Sequence, residues 1–471
     1  MPRPRGCGSP DHTQNGGIGE NMTRLELRFT AALAAVFAAR LLGLFMIYPV
    51  FAGYASHLRG ATPAMIGIAL GAYGLTQGLL QIPYGLVSDR TGRRPVIAVG
   101  LLLFAAGSIV AALAHSIGGL TIGRTLQGTG AVGSVVLATV ADLTREEVRT
   151  RAMAIVGMTI GMSFAVAIVL GPVFAGLFGV PGIFWLTALL AVLGIAIIYG
   201  VVPGQAQVRR HLDTETIPRL LGGVIGNGQL LRLDISIFVL HVMLTASFLA
   251  VPLVLLHALN IPESRDWIVY LPVLAVSIVL MVPAILVAEK GGRMKEVFLA
   301  TILLLAASQL VLLLWSSDPI VVALALVGFF TGFNIMEASL PSLITKIAPA
   351  NAKGTATGVY SSAQFLGIFV GGVGGGLASA MGGTTDVFAL TLIAALIWFG
   401  IAATMRRPSH YSSYLTRIGG TGSASIADLI SRLKSAPGVV DAVIAADEGV
   451  AYLKIDKTHF NPDEIARIVG A

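Results

Sequence analysis

Apolar runs of about twenty residues or more, separated by short polar segments, fill most of the chain. A helix needs roughly 20 apolar residues to cross a bilayer, at about 1.5 Å rise per residue. Some connections are very short, such as 114–116 and 179–181, so the helices that they join must be antiparallel. The pattern predicts an all-α membrane protein with twelve crossings, near residues 29–55, 63–86, 95–115, 117–141, 149–178, 181–202, 232–258, 266–288, 294–315, 319–347, 353–380 and 385–404.

The amino-acid composition agrees with this pattern. Hydrophobic residues make up 55% of the 471 residues and charged residues only 12%, whereas soluble domains carry about 25% charged residues. So few charges cannot cover a water-exposed surface of this size. The 56 glycines suit close helix packing in lipid. The single cysteine, Cys7, excludes an internal disulfide and any multi-cysteine metal or redox centre.

The basic residues are distributed unevenly between the two sides of the membrane. If the N-terminus is cytoplasmic, 21 of the 31 Lys and Arg residues fall on the cytoplasmic side, and only Arg59 and Arg265 fall on the opposite side. Cytoplasmic loops of membrane proteins carry such an excess. The net charge of +7 is therefore topological and gives no reason to expect a nucleic-acid partner. We predict a multi-pass protein of the bacterial inner membrane with both termini cytoplasmic.

The membrane part divides into two halves that resemble each other. The longest polar connection follows the sixth span, and Gly92-Arg93 recurs as Gly292-Arg293 in the equivalent loop of the second half. Repeated halves are a common architecture of transporters. We therefore predict a disordered cytoplasmic tail at 1–24, six-helix bundles at 25–202 and 232–405, a cytoplasmic linker at 203–231 and a soluble domain at 412–471.

The loop between the second and third spans resembles the signature motif of the major facilitator superfamily. Gly92 permits a tight turn, and the carboxylate of Asp89 can accept hydrogen bonds from a neighbouring helix N-terminus. Arg93 and Arg94 can pair with Asp142 at the end of the fourth span. We interpret the cluster as a conformational latch that closes the cytoplasmic side, with ordinary positive-inside charge as the alternative. The latch residues are Gly85, Asp89, Arg90, Gly92, Arg93, Arg94 and Asp142.

The fourth span contains a second motif that resembles this superfamily. It reads Leu120-Thr-Ile-Gly-Arg124-Thr-Leu-Gln127-Gly128-Thr-Gly130-Ala131. A charge inside a span costs several kcal/mol unless it is partnered or hydrated. We interpret Arg124 as an element of proton coupling, and a structural ion pair that holds the bundle is the alternative.

The fifth span carries small residues that resemble the antiporter motif of the superfamily. Small residues allow close helix approach, and Pro172 bends the helix. The motif favours drug-type proton antiport over symport, and close packing of the fifth span on the eighth is the alternative. The motif residues are Gly161, Gly171, Pro172 and Gly176, with Gly157 one turn before them.

The resemblance narrows to the YajR group of bacterial drug/proton antiporters and extends from about Leu25 to the C-terminus. It implies the twelve-helix major facilitator fold, six helices plus six, with a small C-terminal ferredoxin-like domain known as the YAM domain. The segments that carry it are Arg40-Leu-Leu-Gly-Leu-Phe-Met46, Gly74-Leu-Thr-Gln-Gly-Leu-Leu-Gln81-Ile-Pro83, Asp142-Leu-Thr-Arg-Glu146, Phe333-Asn334-Ile-Met-Glu337-Ala-Ser-Leu-Pro341 and Lys353-Gly-Thr-Ala-Thr-Gly-Val-Tyr360.

The segment after the last span has an ordinary soluble composition. The spacing of Ile426, Leu429, Ile430 and Leu433 predicts a helix. Strands are predicted at 414–418, 439–445 and 450–455, and a second helix begins at Asn461-Pro462. This βαββα order fits a small α+β ferredoxin-like domain. Regulation or self-association through this domain is a hypothesis.

Six polar residues within the spans are candidates for coupling to protons or substrate. Glu337, in the middle of the tenth span, is interpreted as a proton carrier or as the partner of a basic group. His241 titrates near neutral pH or serves as a neutral hydrogen-bond donor. Asp234 lies near the membrane surface and would cap the seventh span, while Arg40 would hold an anion or pair with a carboxylate. The six are Arg40, Arg124, Asp234, His241, Asn334 and Glu337.

These features predict a secondary transporter, specifically proton-coupled antiport that exports small molecules by alternating access. The alternative is a sensor on a transporter scaffold that signals through its C-terminal domain. No nucleophile–base set, metal cluster or phosphate-binding loop is present in the sequence, so an enzyme, a cofactor and ATP-driven export are not expected. The expected partners are a small-molecule substrate, protons and the lipid bilayer.

Overall fold

A computed structural model describes residues 22–203, 218–290, 292–349, 352–406, 411–418, 426–445, 450–456 and 459–469. Within these ranges, nine helices are long and apolar enough to cross a membrane. Two of the nine contain two crossings each, in the 51-residue segments Arg151–Val201 and Lys353–Ala403, and a further crossing is split between two shorter helices. The described residues therefore make the twelve crossings that the apolar pattern predicts. Most of the predicted tail and the first part of the linker lie outside the described residues.

The N-terminal half consists of seven helices, and the C-terminal half of five that follow a short linker helix. In the first half they are α1 (Arg24–Phe45), α2 (Tyr48–Ser56), α3 (Pro63–Thr91), α4 (Arg93–Ala112), α5 (Ile117–Thr129), α6 (Gly133–Asp142) and α7 (Glu146–Val201). The linker helix is α8 (Leu221–Ile225). The second half contains α9 (Gly228–His257), α10 (Trp267–Lys290), α11 (Met294–Trp315), α12 (Pro319–Ile347) and α13 (Lys353–Ala403).

Glycines mark the places where one crossing ends and the next begins. The backbone of Gly179 has φ of 70°, a left-handed conformation that L side chains rarely adopt, and it separates the fifth crossing from the sixth within α7. Gly382 and Gly383 make the equivalent break within α13. The predicted fourth span is interrupted at Gly130, between α5 and α6. The turn chemistry of the sequence therefore sets the short connections between antiparallel helices.

The bundle has two ends, which differ in charge and in packing. The end that carries the first turn of α1 and the α3–α4 loop with Arg93 is called the basic end. The opposite end, which carries the connections 57–62, 258–266 and 316–318, is called the far end. Residues 240–252 of α9, toward the far end, are all buried, whereas burial is interrupted in its first three turns, toward the basic end. The seventh crossing is therefore surrounded by protein only at its far end.

The two halves meet through small residues that allow backbone contact. A Cβ atom on Gly67 of α3 would lie 2.1 Å from the carbonyl oxygen of Gly372 in α13, and one on Gly71 would lie 2.8 Å from that of Phe369. Tyr48 of α2 lies 3.4 Å from Thr245 of α9, hydroxyl to hydroxyl. These contacts hold α2 and α3 of the first half directly against α9 and α13 of the second.

The C-terminal segment forms a separate small core. Its elements are β1 (Tyr411–Arg417), α14 (Ile426–Ser435), β2 (Val439–Ala445), β3 (Val450–Asp456) and α15 (Pro462–Val469). The three described strands form an antiparallel sheet in the order β1-β3-β2, and both helices pack on it through Leu429, Leu433 and Ile465. The βαββα order and the α+β class agree with the ferredoxin-like prediction. The predicted first strand begins three residues earlier than expected.

Candidate functional site

A hydrogen-bonded triad joins three crossings of the C-terminal half. The side-chain nitrogen of Gln364, on α13, lies 2.9 Å from Nε2 of His241 on α9 and donates to Oε1 of Glu337 on α12 over 3.2 Å. Nδ1 of His241 lies 3.1 Å from the backbone carbonyl oxygen of Ile237, which can only accept. In the neutral ring, Nδ1 therefore carries the hydrogen and Nε2 accepts the hydrogen bond from Gln364.

The remaining oxygen of Glu337 is available for a proton. Oε2 is buried and receives no hydrogen bond among the described residues, although 29% of the side-chain surface is accessible. Oε2 lies 4.0 Å from Nε2 of His241. An unpartnered carboxylate inside a membrane protein is costly, because little water is present to solvate its charge. A proton on Oε2 removes this cost directly. A proton on Nε2 also balances the charge, but it requires the amide of Gln364 to turn so that its oxygen accepts from Nε2–H, so the triad has two adjacent positions for one proton.

Two other candidates of this half lie apart from the triad. Asn334 donates to Ser277 of α10 over 3.1 Å, so it connects α12 to α10, and within the described ranges no hydrogen bond joins its side chain to Glu337 one turn away. The interpretation of Asp234 as a cap is wrong, because Asn227 caps α9 by accepting from Gln229 and Leu230. Asp234 lies two turns into the helix and is buried, and its Oδ1 has no described partner.

The N-terminal half has a buried polar layer centred on an arginine. Arg40 of α1 donates to the hydroxyl of Tyr73 over 2.6 Å and to the side-chain oxygen of Gln77, both on α3. Gln77 in turn donates to Gln81 over 2.8 Å. Within the described ranges, no carboxylate pairs with Arg40. The ion pair that was one of its two expected roles is therefore not found there. Its guanidinium is held by neutral acceptors.

Arg124 of α5 contacts the ring of the same tyrosine. Its guanidinium carbon is 5.0 Å from the centre of the Tyr73 ring, and Nη1 donates to Gln127 over 3.0 Å. Gln127 also donates to Ser108 of α4 over 2.8 Å. The side chain is 1% exposed, and no described carboxylate pairs with it. The alternative role of Arg124, a structural ion pair that holds the bundle, is therefore not found among the described residues.

The charged cluster at the basic end is centred on Arg93. Its Nε donates to Asp142 over 2.8 Å, and its Nη1 contacts both Ser88, at 2.7 Å, and Asp89. Gly92 makes the turn before it with φ of 95°, where a side chain would be strained. The cluster brings Asp89, Arg93 and Asp142 together as expected. All of these partners belong to the N-terminal half.

The remaining latch candidates are placed differently from the expectation. Arg94 does not join Asp142: it donates to the carbonyl oxygen of Tyr199 over 2.7 Å and covers that ring, which ties α4 to the end of α7. Arg90 is exposed at the end of α3. A Cβ atom on Gly85 would meet only Ser134 of the same half, at 3.7 Å. Through these contacts the cluster ties helices of the N-terminal half to one another in this conformation.

The glycines of the fifth crossing serve several contacts, and packing on the eighth crossing is not their common role. A Cβ atom on Gly171 would lie 2.2 Å from the carbonyl oxygen of Met46, between α1 and α2. One on Gly176 would lie 2.9 Å from Ser264, in the loop before α10. Gly157 and Gly161 face open space. Pro172 lies inside α7, one residue after Gly171.

The structure adds residues that the sequence analysis did not single out. Gln364 is the donor that joins His241 to Glu337, and Tyr73 lies between Arg40 and Arg124. Neither has a local signal, because each is an ordinary residue whose partners come from other helices. The glycine pairs between α3 and α13 could have been found, since small residues spaced four apart mark close helix contacts.

Comparison with known proteins places the chain in a family. The family model described as Major Facilitator Superfamily matches residues 33–231 and 233–446. The chain is 42% identical over 452 residues to the inner membrane transport protein YajR of Escherichia coli strain K12, covering 95% of this chain and 98% of that protein. It is 26% identical over 347 residues to the multidrug resistance protein MdtH of Aeromonas salmonicida, covering 71% and 84% of the two chains.

Solved structures share the fold. A bacterial homologue of the human lysosomal transporter Spinster, in an inward-facing and occupied conformation, aligns with a TM-score of 0.66 at 13% identity, over 81% of this chain and 97% of that one. The human organic anion transporter MFSD10 aligns with a TM-score of 0.60 at 19% identity, over 80% and 99%. At these identities the likeness supports the shared fold alone.

Proposed function

Because this chain belongs to the Major Facilitator Superfamily of transporters, we propose that it is a proton-coupled antiporter that exports small molecules by alternating access. Protonation of a membrane carboxyl would shift the equilibrium between a state open at one end and a state open at the other. The proton gradient would then drive the substrate in the opposite direction.

The triad of Glu337, Gln364 and His241 carries this proposal. It offers a proton two positions 4.0 Å apart, on side chains of α12 and α9. The partial accessibility of Glu337 gives a proton a way in. A change of protonation would alter the hydrogen bonds that join α9, α12 and α13, and α9 and α13 are the helices that meet the N-terminal half.

The arrangement also favours an orientation and a location. The basic end carries most of the Lys and Arg residues, so we place it in the cytoplasm. The relative from Escherichia coli is named an inner membrane protein, which supports the same membrane for this chain. The far end would then face the outside, and the structure would correspond to a state whose outer side is closed.

The two arginines of the N-terminal half support a binding role opposite the triad. Arg40 and Arg124 are held by neutral acceptors alone among the described residues, so their charge is not neutralised by the protein there. A substrate with a hydrogen-bond acceptor or a negative charge would complement them. The Aeromonas relative is named a multidrug resistance protein. This name supports export as the direction of transport and drug-like compounds as the substrates.

Reconstituted vesicles test the coupling. The full chain would be placed in proteoliposomes containing a pH-sensitive dye, and compounds selected by a thermal-shift screen would be added without an imposed gradient. When an added compound is a substrate, we expect its transport to move protons across the membrane in the opposite direction. Glu337→Gln should reduce this proton movement at least tenfold and leave substrate exchange across the membrane measurable.

Glu289→Gln is the matched control for that variant. Glu289 lies at the basic end of α10, half exposed, with its carboxylate 3.8 Å from Lys346. A surface ion pair of this kind contributes about 0–1 kcal/mol, so coupling should remain near the wild-type value. Unchanged proton movement in Glu337→Gln, with wild-type substrate transport, would exclude the triad as the coupling site.

One contact favours a second candidate, the sensor on a transporter scaffold. Nζ of Lys454 in β3 donates to the carbonyl oxygen of Ile347 at the end of α12 over 3.2 Å. The C-terminal domain therefore touches the helix that carries Glu337. The sensor hypothesis predicts that compounds bind and shift thermal stability without net flux, and the same vesicle assay separates the two functions.

A further inference from the structure

The connection between α9 and α10 closes the far end against the other half. It contains the short helical turn Glu263–Arg265 and ends at Asp266. The carboxylate of Glu263 occupies the space where a Cβ atom on Gly53 of α2 would lie. Ser264 packs on Gly176 of α7. This connection is called the far-end clamp, because its residues belong to the C-terminal half and rest on two helices of the N-terminal half.

The last residue of the far-end clamp, Asp266, has a carboxyl group without a hydrogen-bond partner among the described residues. The side chain of Asp266 is fully buried, at 0% exposure, and neither Oδ1 nor Oδ2 receives a hydrogen bond from a described residue. Its backbone carbonyl accepts from Val269 and Tyr270 at the start of α10, but its side chain does not cap the helix. One turn further, the hydroxyl of Tyr270 is also buried and has no described partner.

The surroundings of Asp266 do not neutralise a negative charge. Helix α7 has no titratable side chain between residues 152 and 198. The basic groups nearby lie at helix ends or on the exposed clamp, and none of them is hydrogen-bonded to Asp266. At the far end, the titratable and charged groups on the elements packed around it are Tyr48, Tyr54 and His57 on or after α2, His257 at the end of α9, Glu263 and Arg265 on the far-end clamp, Tyr270 on α10 and Asp318 at the start of α12.

A bare carboxylate in such a place would be costly, whereas a neutral acid would need only one acceptor. We propose that Asp266 is a second proton-binding site, which must be protonated before the far end can close. This inference rests on the alternating-access cycle of the proposed function. When the far-end clamp separates from Gly53 and Gly176, Asp266 meets the aqueous phase and releases its proton.

The site differs from the triad in its effect on transport. The proton of Asp266 is taken up from the outer solution on closing and returned to the same solution on opening. It therefore sets how the outer pH controls closure and adds no proton to the transport stoichiometry. The triad, by contrast, would exchange its proton with both sides.

Distances across the far end test the site. Cys7, the single cysteine, would be replaced by Ser, and spin labels would be placed on Gly118→Cys, an exposed position in the first turn of α5, and on Ser317→Cys, an exposed position in the connection between α11 and α12. The distance between the labels would be measured in lipid nanodiscs from pH 5.5 to 8.5, in the wild-type and Glu337→Gln backgrounds. The second background removes the proton of the triad.

We expect the open population of Glu337→Gln to rise with pH, with the open-to-closed ratio changing about tenfold per unit through the titration of one proton. Adding Asp266→Asn should keep the far end closed at every pH. Asp266→Ser provides a second non-titrating variant if the amide disturbs folding. Asp318→Asn is the control, since this exposed carboxylate on the same end caps α12 and its amide can still accept from Ile320.

The outcomes separate the two proposals. If both Asp266 variants fold and keep the pH dependence of Glu337→Gln, the proton site is wrong and the triad is unaffected. If sodium at constant pH shifts the distance instead, the site binds a metal cation and the proton proposal is overturned. A far end that opens at no pH in either background contradicts alternating access itself.

Discussion

Several glycines at the far end of the bundle pack against the other half, whereas several at the basic end do not. At the far end, atoms of the other half occupy the space beside Gly53, Gly67 and Gly176. The contacts of Gly53 and Gly176 are made by the far-end clamp. At the basic end, Gly157 and Gly161 face open space, and Gly85 meets only its own half. Glycines that look alike in sequence therefore report which end is closed.

This difference suggests how the two ends alternate. Close backbone contact is possible only where no side chain intervenes, so glycine allows a tight seal that can also separate. The open glycines of α7 would provide a second such seal at the basic end. The comparison predicts that side chains added at the two ends have different consequences, although the substitution is the same.

The largest effect is expected at the far end. Gly67→Val would place a side chain 2.1 Å from the carbonyl oxygen of Gly372, which is backbone and cannot rotate away. Overpacking of this kind typically costs about 1–3 kcal/mol. We expect transport to fall at least tenfold and the closed population in the spin-label distances to disappear. Wild-type closure in Gly67→Val would show that the α3–α13 contact is not a seal.

The second largest effect concerns the charged cluster. Arg93→Gln leaves the buried carboxylate of Asp142 without its hydrogen bond from Nε. Removing one member of a buried ion pair costs about 3–5 kcal/mol of the free energy of unfolding. For Arg93→Gln we expect a loss near the lower end of this range, because Asp89 is partly exposed. Thermal unfolding in detergent measures this loss. Arg90→Gln, one turn away and exposed, should stay within about 0.5 kcal/mol of wild type.

That pair of variants also tests where the cluster acts. Ser88, Asp89 and Asp142, which contact Arg93, lie in the N-terminal half, so Arg93→Gln should lower the stability of that half in this state. If Arg93→Gln instead changes only the distance between the two halves and leaves thermal unfolding unaffected, the cluster connects the two halves. Its assignment to the N-terminal half alone would then be wrong.

A smaller effect on stability is expected when a glycine at the basic end is replaced by valine. Gly161→Val adds a side chain where nothing lies within 4 Å, so unfolding should shift by about 0.5 kcal/mol or less. If the basic end closes through α7 during transport, the rate should still fall several-fold. A transport rate equal to wild type would mean that Gly161 stays exposed throughout the cycle.

The smallest effect is expected at the C-terminal domain. Burial lowers the pKa of Lys454. Where docking on Ile347 supplies part of this burial, docking should strengthen as pH rises through the lowered pKa toward the ordinary pKa of lysine, and it should be weaker below that range. Lys454→Met loses one hydrogen bond and also this burial cost, so docking should change by about 1 kcal/mol or less. Hydrogen exchange at the end of α12 and in β3 measures docking.

Lys434→Met is the control for that prediction, because Lys434 is half exposed and pairs with Asp441 within the same domain. Both variants should keep the fold of the domain. Much faster exchange at the end of α12 in Lys454→Met alone would indicate that the domain controls this helix strongly, which favours the sensor function.

Much of the fold was predictable because its signals are local. Twelve apolar runs, the Gly92 turn and the βαββα order each depend on residues close together in the chain. The partners of Arg94 and Asn334 were not predictable, because Tyr199 and Ser277 come from helices far away in sequence. The cap of α9 was misassigned because Asn227 lies before the apolar run from which the span was inferred.

The sequence by itself determined the number of crossings, the division into two halves and the charge asymmetry, because span length and loop charge are properties of continuous segments. Only the tertiary structure decided which polar side chains meet. It joined His241, Gln364 and Glu337 from three helices, left the Asp266 carboxyl without a hydrogen-bond partner among the described residues, and separated the closely packed glycines from the open ones. Contacts between helices depend on how the helices pack, and packing is not encoded by any one segment.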